Sequence, residues 1–336
     1  MENPKMAFLA FCIIIAPQIF LMVKAQNNPL VPAIYVLGSS SVDSGNNNYL
    51  NTIANANKWP YGIDLNNKRG RFSNGKNLAD FAAIKLGLPM APPYLGLSDS
   101  DRGQIKTGIN YGSGSCGILN TSRVGDCLSL EKQVNYFTST VKNDLPKQMN
   151  ENELSDHLAK SIFLMFIGVN DYNPATNQHI TDKFTGPAFA DYLLQQLFQQ
   201  IQTLYDLGAR KFVVHGVSRC EPDDQEGTCI SRYYRDKLPA KLTSLQASLS
   251  GAFFTMYDAY AVYENMVDNH EKYGIEEYQN PCFVIETQVL CPDRSKYHFF
   301  DKYGHQTERS CGIAMDGCFN GTFCTPYTLS QLATIH

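Results

Sequence analysis

The sequence predicts an α/β protein, a single three-layer α/β/α domain around a mostly parallel central sheet. Three observations lead there. Four short runs rich in β-branched and aromatic residues recur along the chain, nearly continuous in apolar character rather than alternating. Strands buried on both faces read this way. Stretches with apolar residues at helical spacing follow them, the alternation that builds a parallel sheet with helices on both faces. Two of the runs end at glycines, Gly38 and Gly168, beyond strand ends where ligand sites of such sheets lie.

The elements follow in order. Ala33–Leu37 reads as the first strand, and Leu78–Leu86, entered after Asn77, as a helix. Ser161–Ile167 is a second buried strand that ends at the turn Gly168–Asp171. Phe189–Leu207 is a long amphipathic helix stopped by Gly208. Lys211–His215 reads as the third strand, Lys237–Ser250 as a helix, Ala252–Tyr257 as the fourth strand and Tyr260–His270 as a further helix. There is no repeat, long charge run or low-complexity linker, so residues 26–336 read as one domain.

Residues 1–25 stand apart. Lys5 precedes Met6–Val23, which is almost wholly apolar, and Val23-Lys24-Ala25 places small residues at the −3 and −1 positions. This pattern is expected of a secretory signal peptide cleaved after Ala25. An uncleaved anchor is the alternative, because the apolar run approaches spanning length, but Pro17 and the cleavage pattern favour removal. Loss of the leader takes 28 basic residues to 26 and 32 acidic residues to 31, a net charge of −5. Without a basic stripe, nucleic acid is excluded as an expected partner.

Ten cysteines less Cys12 leave nine, an odd number. A secreted chain with this count is expected to hold disulfides and one free thiol. Cys220–Cys229 and Cys282–Cys291 each close a short loop and are the favoured pairs. Cys116 with Cys127 is a further candidate, and the unpaired thiol falls among Cys311, Cys318 and Cys324. With no C-x-x-C pair and no histidine beside the cysteines, a zinc site is not expected. Asn120-Thr121-Ser122 and Asn320-Gly321-Thr322 are glycosylation sequons.

The chemistry-bearing residues sit at both ends of the chain. Gly38-Ser39-Ser40-Ser41-Val42-Asp43 follows the first strand, and small residues there make a tight turn that can present a serine nucleophile. Asp301-Lys302-Tyr303-Gly304-His305 supplies an acid and a histidine four residues apart. Serine, histidine and carboxylate are the parts of a hydrolytic triad. His215, in an apolar strand, reads instead as a packed core residue.

Five segments then carry a resemblance. Val31–Gly38 with Val42-Asp43-Ser44-Gly45-Asn46-Asn47-Asn48, Gly70–Asn77, Gly108–Leu119, Ile167–Tyr172 and Phe300–Glu308 together resemble, in order, the conserved blocks of the plant GDSL esterase/lipase family of SGNH hydrolases. The resemblance implies Ser40 as nucleophile, His305 as base and Asp301 as its orienting acid. It implies an oxyanion hole made by the backbone N–H of Ser40, the backbone N–H of Gly114 and the side-chain amide of Asn170. It implies a secreted esterase or lipase that cleaves lipid or acyl esters through an acyl-serine, without metal or organic cofactor. An acyltransferase with the same motifs, or a weakened or inactive binding protein, is the alternative. Five residues depart from the family pattern: Ser39 stands for the aspartate before the nucleophile, Ser41 for a leucine, Ser115 for a glycine, Gln306 for a proline, and Gly304 is an insertion between acid and base. If the insertion is absorbed, Gly304 is expected in a left-handed conformation with Asp301 still reaching Nδ1 of His305.

Overall fold

The computed structural model describes residues 28–173, 176, 184–217 and 231–335. The leader and both Cys220 and Cys229 lie outside the described residues. The strands are β1 Ile34–Gly38, β2 Ile162–Phe166, β3 Lys211–Gly216, β4 Phe253–Asp258, β5 Phe283–Val284, β6 Val289–Leu290 and β7 Cys324–Thr325. The helices are α1 Leu78–Lys85, α2 Asp99–Arg102, α3 Leu130–Ser139, α4 Glu151–Lys160, α5 Gly186–Asp206, α6 Ser231–Ser248, α7 Ala259–Asp268, α8 His270–Tyr273, α9 Glu308–Asn320 and α10 Leu329–Thr334.

The sheet runs β1-β2-β3-β4-β7, with the first four strands parallel and β7 antiparallel at the edge. Every residue of β1, β2 and β3 is buried, as the continuous apolar runs require. Alternation of side chains divides the core into two layers. Tyr35, Leu37, Phe163, Met165, Phe212 and Val214 face α3, α5 and α6. Ile34, Val36, Ile162, Leu164 and Val213 face α1, α7, α9 and α10. The result is the three-layer α/β/α architecture.

The strand positions match the sequence reading to within a residue or two. Helix starts differ more. The fourth-strand-preceding helix α6 begins at Ser231 rather than Lys237, with Pro239 inside it; proline removes one intrahelical bond without ending the helix. The sequence reading gives no helix at α2, α3, α4, α9 or α10. Helix α3 carries a readable signal, a Ser129 cap followed by buried Leu130, Val134 and Phe137 at helical spacing. Helix α9 contains Gly312 and Gly317, which weaken the periodicity and the propensity together.

One connection was invisible in the sequence and places the site. Residues 107–113 run parallel beside β1: Ile34 N–H donates to Thr107 O (3.1 Å), Val36 N–H to Ile109 O (3.1 Å), Tyr111 N–H to Val36 O (2.8 Å) and Ser113 N–H to Gly38 O (2.9 Å). The chain leaves β1, returns on this side, and only then forms β2 on the other. The carboxyl end of β1 is therefore a topological switch point, where ligands bind in open α/β sheets.

Candidate active site

The turn after β1 is held from every side. Gln133 of α3 is fully buried and clasps Gly38: its Oε1 accepts the Gly38 N–H (2.7 Å) and its Nε2 donates to Gly38 O (2.9 Å) and Leu128 O (2.7 Å). Ser39 N–H donates to Phe166 O (2.9 Å), and Ser39 O accepts from the N–H of Val42 and of Asp43. Ser39 itself is buried, with its hydroxyl 3.5 Å from Phe166 O. Ser40 sits at the apex of the turn, half-buried.

Asp43 knits this turn to the next segment. Its Oδ1 accepts the N–H of Gly45 (2.7 Å) and Asn46 (2.8 Å), and its Oδ2 accepts the N–H of Gly114 (3.0 Å). Burial raises the Asp43 carboxyl to about 6, partly opposed by these backbone donors. The asparagines that follow act as clamps. Asn46 Nδ2 donates to Asn110 O and Gly112 O, and Asn47 Nδ2 to Gly114 O (3.0 Å). Asp43, Asn46 and Asn47 thus tie the turn after β1 to residues 110–114.

The second half is the Asp301–His305 turn. Gly304 N–H donates to Asp301 O (3.2 Å), Tyr303 N–H to Asp301 Oδ1 (2.9 Å), and Phe300 N–H to His305 O (2.6 Å). Gly304 takes φ of +79°. This is a tight turn closed by one left-handed residue, the arrangement in which an extra residue is absorbed locally. His305 Nδ1 lies 2.7 Å from Asp301 Oδ2 and 2.9 Å from Oδ1. Asp301 is 1 % exposed. Burial opposes its ionisation, but His305, the Tyr61 hydroxyl and the Tyr303 N–H outweigh that and hold its carboxyl below the usual range. Thr307 then caps α9, its hydroxyl accepting the Ser310 N–H and donating to Tyr297 O (2.7 Å). Asp301 does not cap this helix.

Phe72 joins the two halves. Its ring lies 4.9 Å from the His305 ring, centroid to centroid. The same ring fills the space beside Gly114, where an added Cβ would sit 2.5 Å from Phe72 Cζ. Gly114 has its N–H on Asp43 Oδ2 and its carbonyl on Asn47. Two residues on, Cys116 O accepts from Asn170 Nδ2 (2.9 Å), and Cys116 is bonded to Cys127, with the Cα atoms 5.9 Å apart. Asn170 follows β2, and the neighbouring Asp171 accepts the N–H of Ile118 (2.7 Å) and Leu119 (3.0 Å). Contacts therefore run from Asp43 to Gly114, from Phe72 to both Gly114 and His305, and from Asn170 to Cys116.

Three supporting residues escaped the sequence reading: Gln133, Phe72 and Tyr61, whose hydroxyl donates to Asp301 Oδ2 at 2.8 Å. Only Gln133 had a local signal, as the one polar residue on the apolar stripe of an amphipathic segment. Elsewhere, Cys282–Cys291 staples the β5–β6 hairpin and Cys318–Cys324 ties α9 to β7, leaving Cys311 free and buried. His215 is buried, stacked on Tyr257 and held well down, to about 4, by desolvation. Among the described residues, no group of three or more His, Cys, Asp or Glu side chains is placed to hold a metal ion, and no helix is long and apolar enough to cross a membrane.

A mostly parallel sheet whose first strand runs into a serine-bearing turn at a switch point, together with a histidine held by a buried carboxylate, contains the parts of a serine hydrolase. Comparison with known proteins agrees. The GDSL-like lipase/acylhydrolase family matches residues 34–308. The chain is 32 % identical to GDSL esterase/lipase At5g55050 of Arabidopsis thaliana, covering 90 % of each chain, and 32 % identical to GDSL esterase/lipase 7 of the same plant, covering 92 % and 94 %. It is 47 % identical to GDSL esterase/lipase At2g04020 over 55 % of its own length and 58 % of that relative's. The chain belongs to the GDSL lipase/acylhydrolase family, and its chemistry is hydrolysis of ester bonds.

Proposed function

We propose that the protein is a secreted serine esterase that cleaves carboxylic esters of lipid or acyl type through an acyl-Ser40 intermediate. The observation that carries this reading is the 2.7 Å contact of His305 Nδ1 with the buried Asp301 carboxylate. With Nδ1 committed to the acid, Nε2 is the nitrogen that serves as base. Ser40 Oγ attacks the ester carbonyl carbon while His305 Nε2 takes its proton. The imidazolium then returns that proton to the leaving alkoxide, and a water attacks the acyl-enzyme by the same route.

The negative charge that develops on the carbonyl oxygen needs donors aimed at it beforehand. The Ser40 N–H and an amide proton of Asn170 are the proposed donors. The Gly114 N–H is held by Asp43 Oδ2, so its contribution requires that bond to be shared or exchanged when the oxyanion forms. No cofactor is invoked. Secretion rests on the leader sequence, the disulfides and the exposed sequon residues Asn120 and Asn320.

The test is labelling of the full secreted protein with a fluorophosphonate, alongside hydrolysis of p-nitrophenyl acyl esters. Label and activity are both expected, and both should vanish in Ser40→Ala. Hydrolysis that persists in that variant would remove Ser40 as nucleophile. Formation of a product ester with added alcohol, outpacing hydrolysis, would reassign the protein as an acyltransferase. The secreted chain should begin at Gln26 and shed mass on glycosidase treatment.

A further inference from the structure

We propose that Tyr61 is a positioning residue for the acid–base pair, its hydroxyl fixing the Asp301 carboxylate and, through it, the imidazole of His305. The inference rests on the acyl-serine reading above.

The Asp301 carboxylate sits on a short turn, and the torsion that sets its plane is intrinsically broad. Its Oδ1 takes the Tyr303 N–H, a donor two residues along the same turn, which moves with it. The Tyr61 hydroxyl on Oδ2 comes from a segment 240 residues earlier in the chain. It is therefore the contact that locks the carboxylate plane to the rest of the molecule. A phenylalanine would fill the same space, so the hydroxyl is there for the carboxylate.

Tyr61 is itself held rigidly. It is 4 % exposed, and its ring lies 5.4 Å from Phe300, 6.1 Å from Phe72 and 6.3 Å from Phe283, centroid to centroid. Gly62 follows at φ +74°, with Lys68 O where a Cβ would be, at 2.3 Å, and its N–H donates to Ser73 O (2.9 Å). The loop from Tyr61 to Phe72 thus frames both members of the pair. Tyr61 holds the acid from one side, and Phe72 packs on the base. Burial first, and the Asp301 charge next, keep the phenol protonated well above the usual tyrosine range. It remains a donor at every pH at which the enzyme works.

The hydroxyl stabilises the carboxylate most when the pair carries its full negative charge, with His305 neutral. Removing it disfavours that state and raises the pH at which the pair takes up its first proton. The other ionisable groups facing the pair are Tyr303 and Lys302, whose ammonium is taken by Glu286. None of these changes in the variant below.

The experiment compares the whole protein with Tyr61→Phe, and with 3-fluorotyrosine placed at position 61, whose more acidic phenol donates more strongly. Two readouts are taken: the pH profile of kcat and KM on a p-nitrophenyl ester, and NMR titration of His305, assigned with His305→Gln. Tyr61→Phe should lower kcat roughly tenfold with KM within about twofold, and move the His305 titration upward. The fluorinated residue should move it downward. If Tyr61→Phe leaves kcat within twofold and the His305 titration unmoved, the proposal is overturned. The NMR readout does not require turnover. A shift in a protein that resists fluorophosphonate would sink the hydrolase reading while leaving the Tyr61 role standing. Should Tyr61→Phe fold poorly, the fluorinated protein alone decides, because it keeps both ring and hydroxyl.

Discussion

At the scale of single residues, the Asp301–His305 turn shows how a departure from a family pattern is accommodated. Gly304 adds a residue between acid and base, and its φ of +79° lets the turn close without moving either side chain out of contact. An added Cβ at Gly304 meets nothing within 4 Å. Gly304→Ala should therefore suffer only the left-handed strain, about 1 kcal/mol, read as a fall in Tm of roughly 1–3 °C with kcat nearly unchanged. A loss of kcat beyond tenfold would mean that the turn does not tolerate even this strain. Asp301→Asn should behave otherwise. The amide keeps the shape but favours the wrong imidazole tautomer, and kcat is expected to fall by roughly ten-thousandfold with little change in KM. A fall of less than tenfold would show that His305 does not depend on this acid.

At the scale of elements, α3 bears on catalysis through one side chain. Gln133 spans from the inner face of the helix to both backbone groups of Gly38, and has no access to solvent. Gln133→Leu keeps the volume and takes this partner from the Gly38 N–H and from Leu128 O, while Gly38 O keeps the Ser113 N–H. Each orphaned buried polar group costs roughly 1–3 kcal/mol, so the variant should lose about 3 kcal/mol in urea denaturation. Because Gly38 lies two residues before Ser40 in the same turn, kcat should fall more than KM rises. Stability lost without any change in kcat would separate the Ser40 turn from its clamp. The same comparison explains why this helix went unread. Its apolar spacing was present, but a glutamine on the buried stripe has no meaning until the partner strand is in place.

At the scale of the whole molecule, burial of ionisable groups sets the response to acid. Burial holds His157, His215 and His298 down to about 4. Each binds its proton more readily when unfolded, so each costs stability as the pH falls from the unfolded histidine range towards 4. Asp43 and Asp171 are raised by burial to about 6. They bind protons earlier in the folded state and contribute in the opposite direction between 6 and the unfolded aspartate range. Three histidines against two aspartates leave a net loss of stability as the pH falls towards 4. The Tm should be lower at pH 4.5 than at pH 7, and a higher value at pH 4.5 would contradict the balance. His215→Phe should narrow the difference.

The sequence by itself determined the strands, because a run such as Ile162–Phe166 can be stable only when both faces are covered. It supplied the candidate residues of the proposed site too, since a hydroxyl, an imidazole and a carboxylate are legible wherever they fall in a motif. It did not determine what holds them. The alignment of residues 107–113 beside β1, the grip of Gln133 on Gly38, the Phe72 ring between His305 and Gly114, and the Tyr61 hydroxyl on Asp301 all join residues far apart in the chain. Local pattern encodes periodicity and turn chemistry. Partners brought together by loop closure and packing have no local signature, so tertiary structure alone decided them, along with the Gly114 N–H that lies on Asp43.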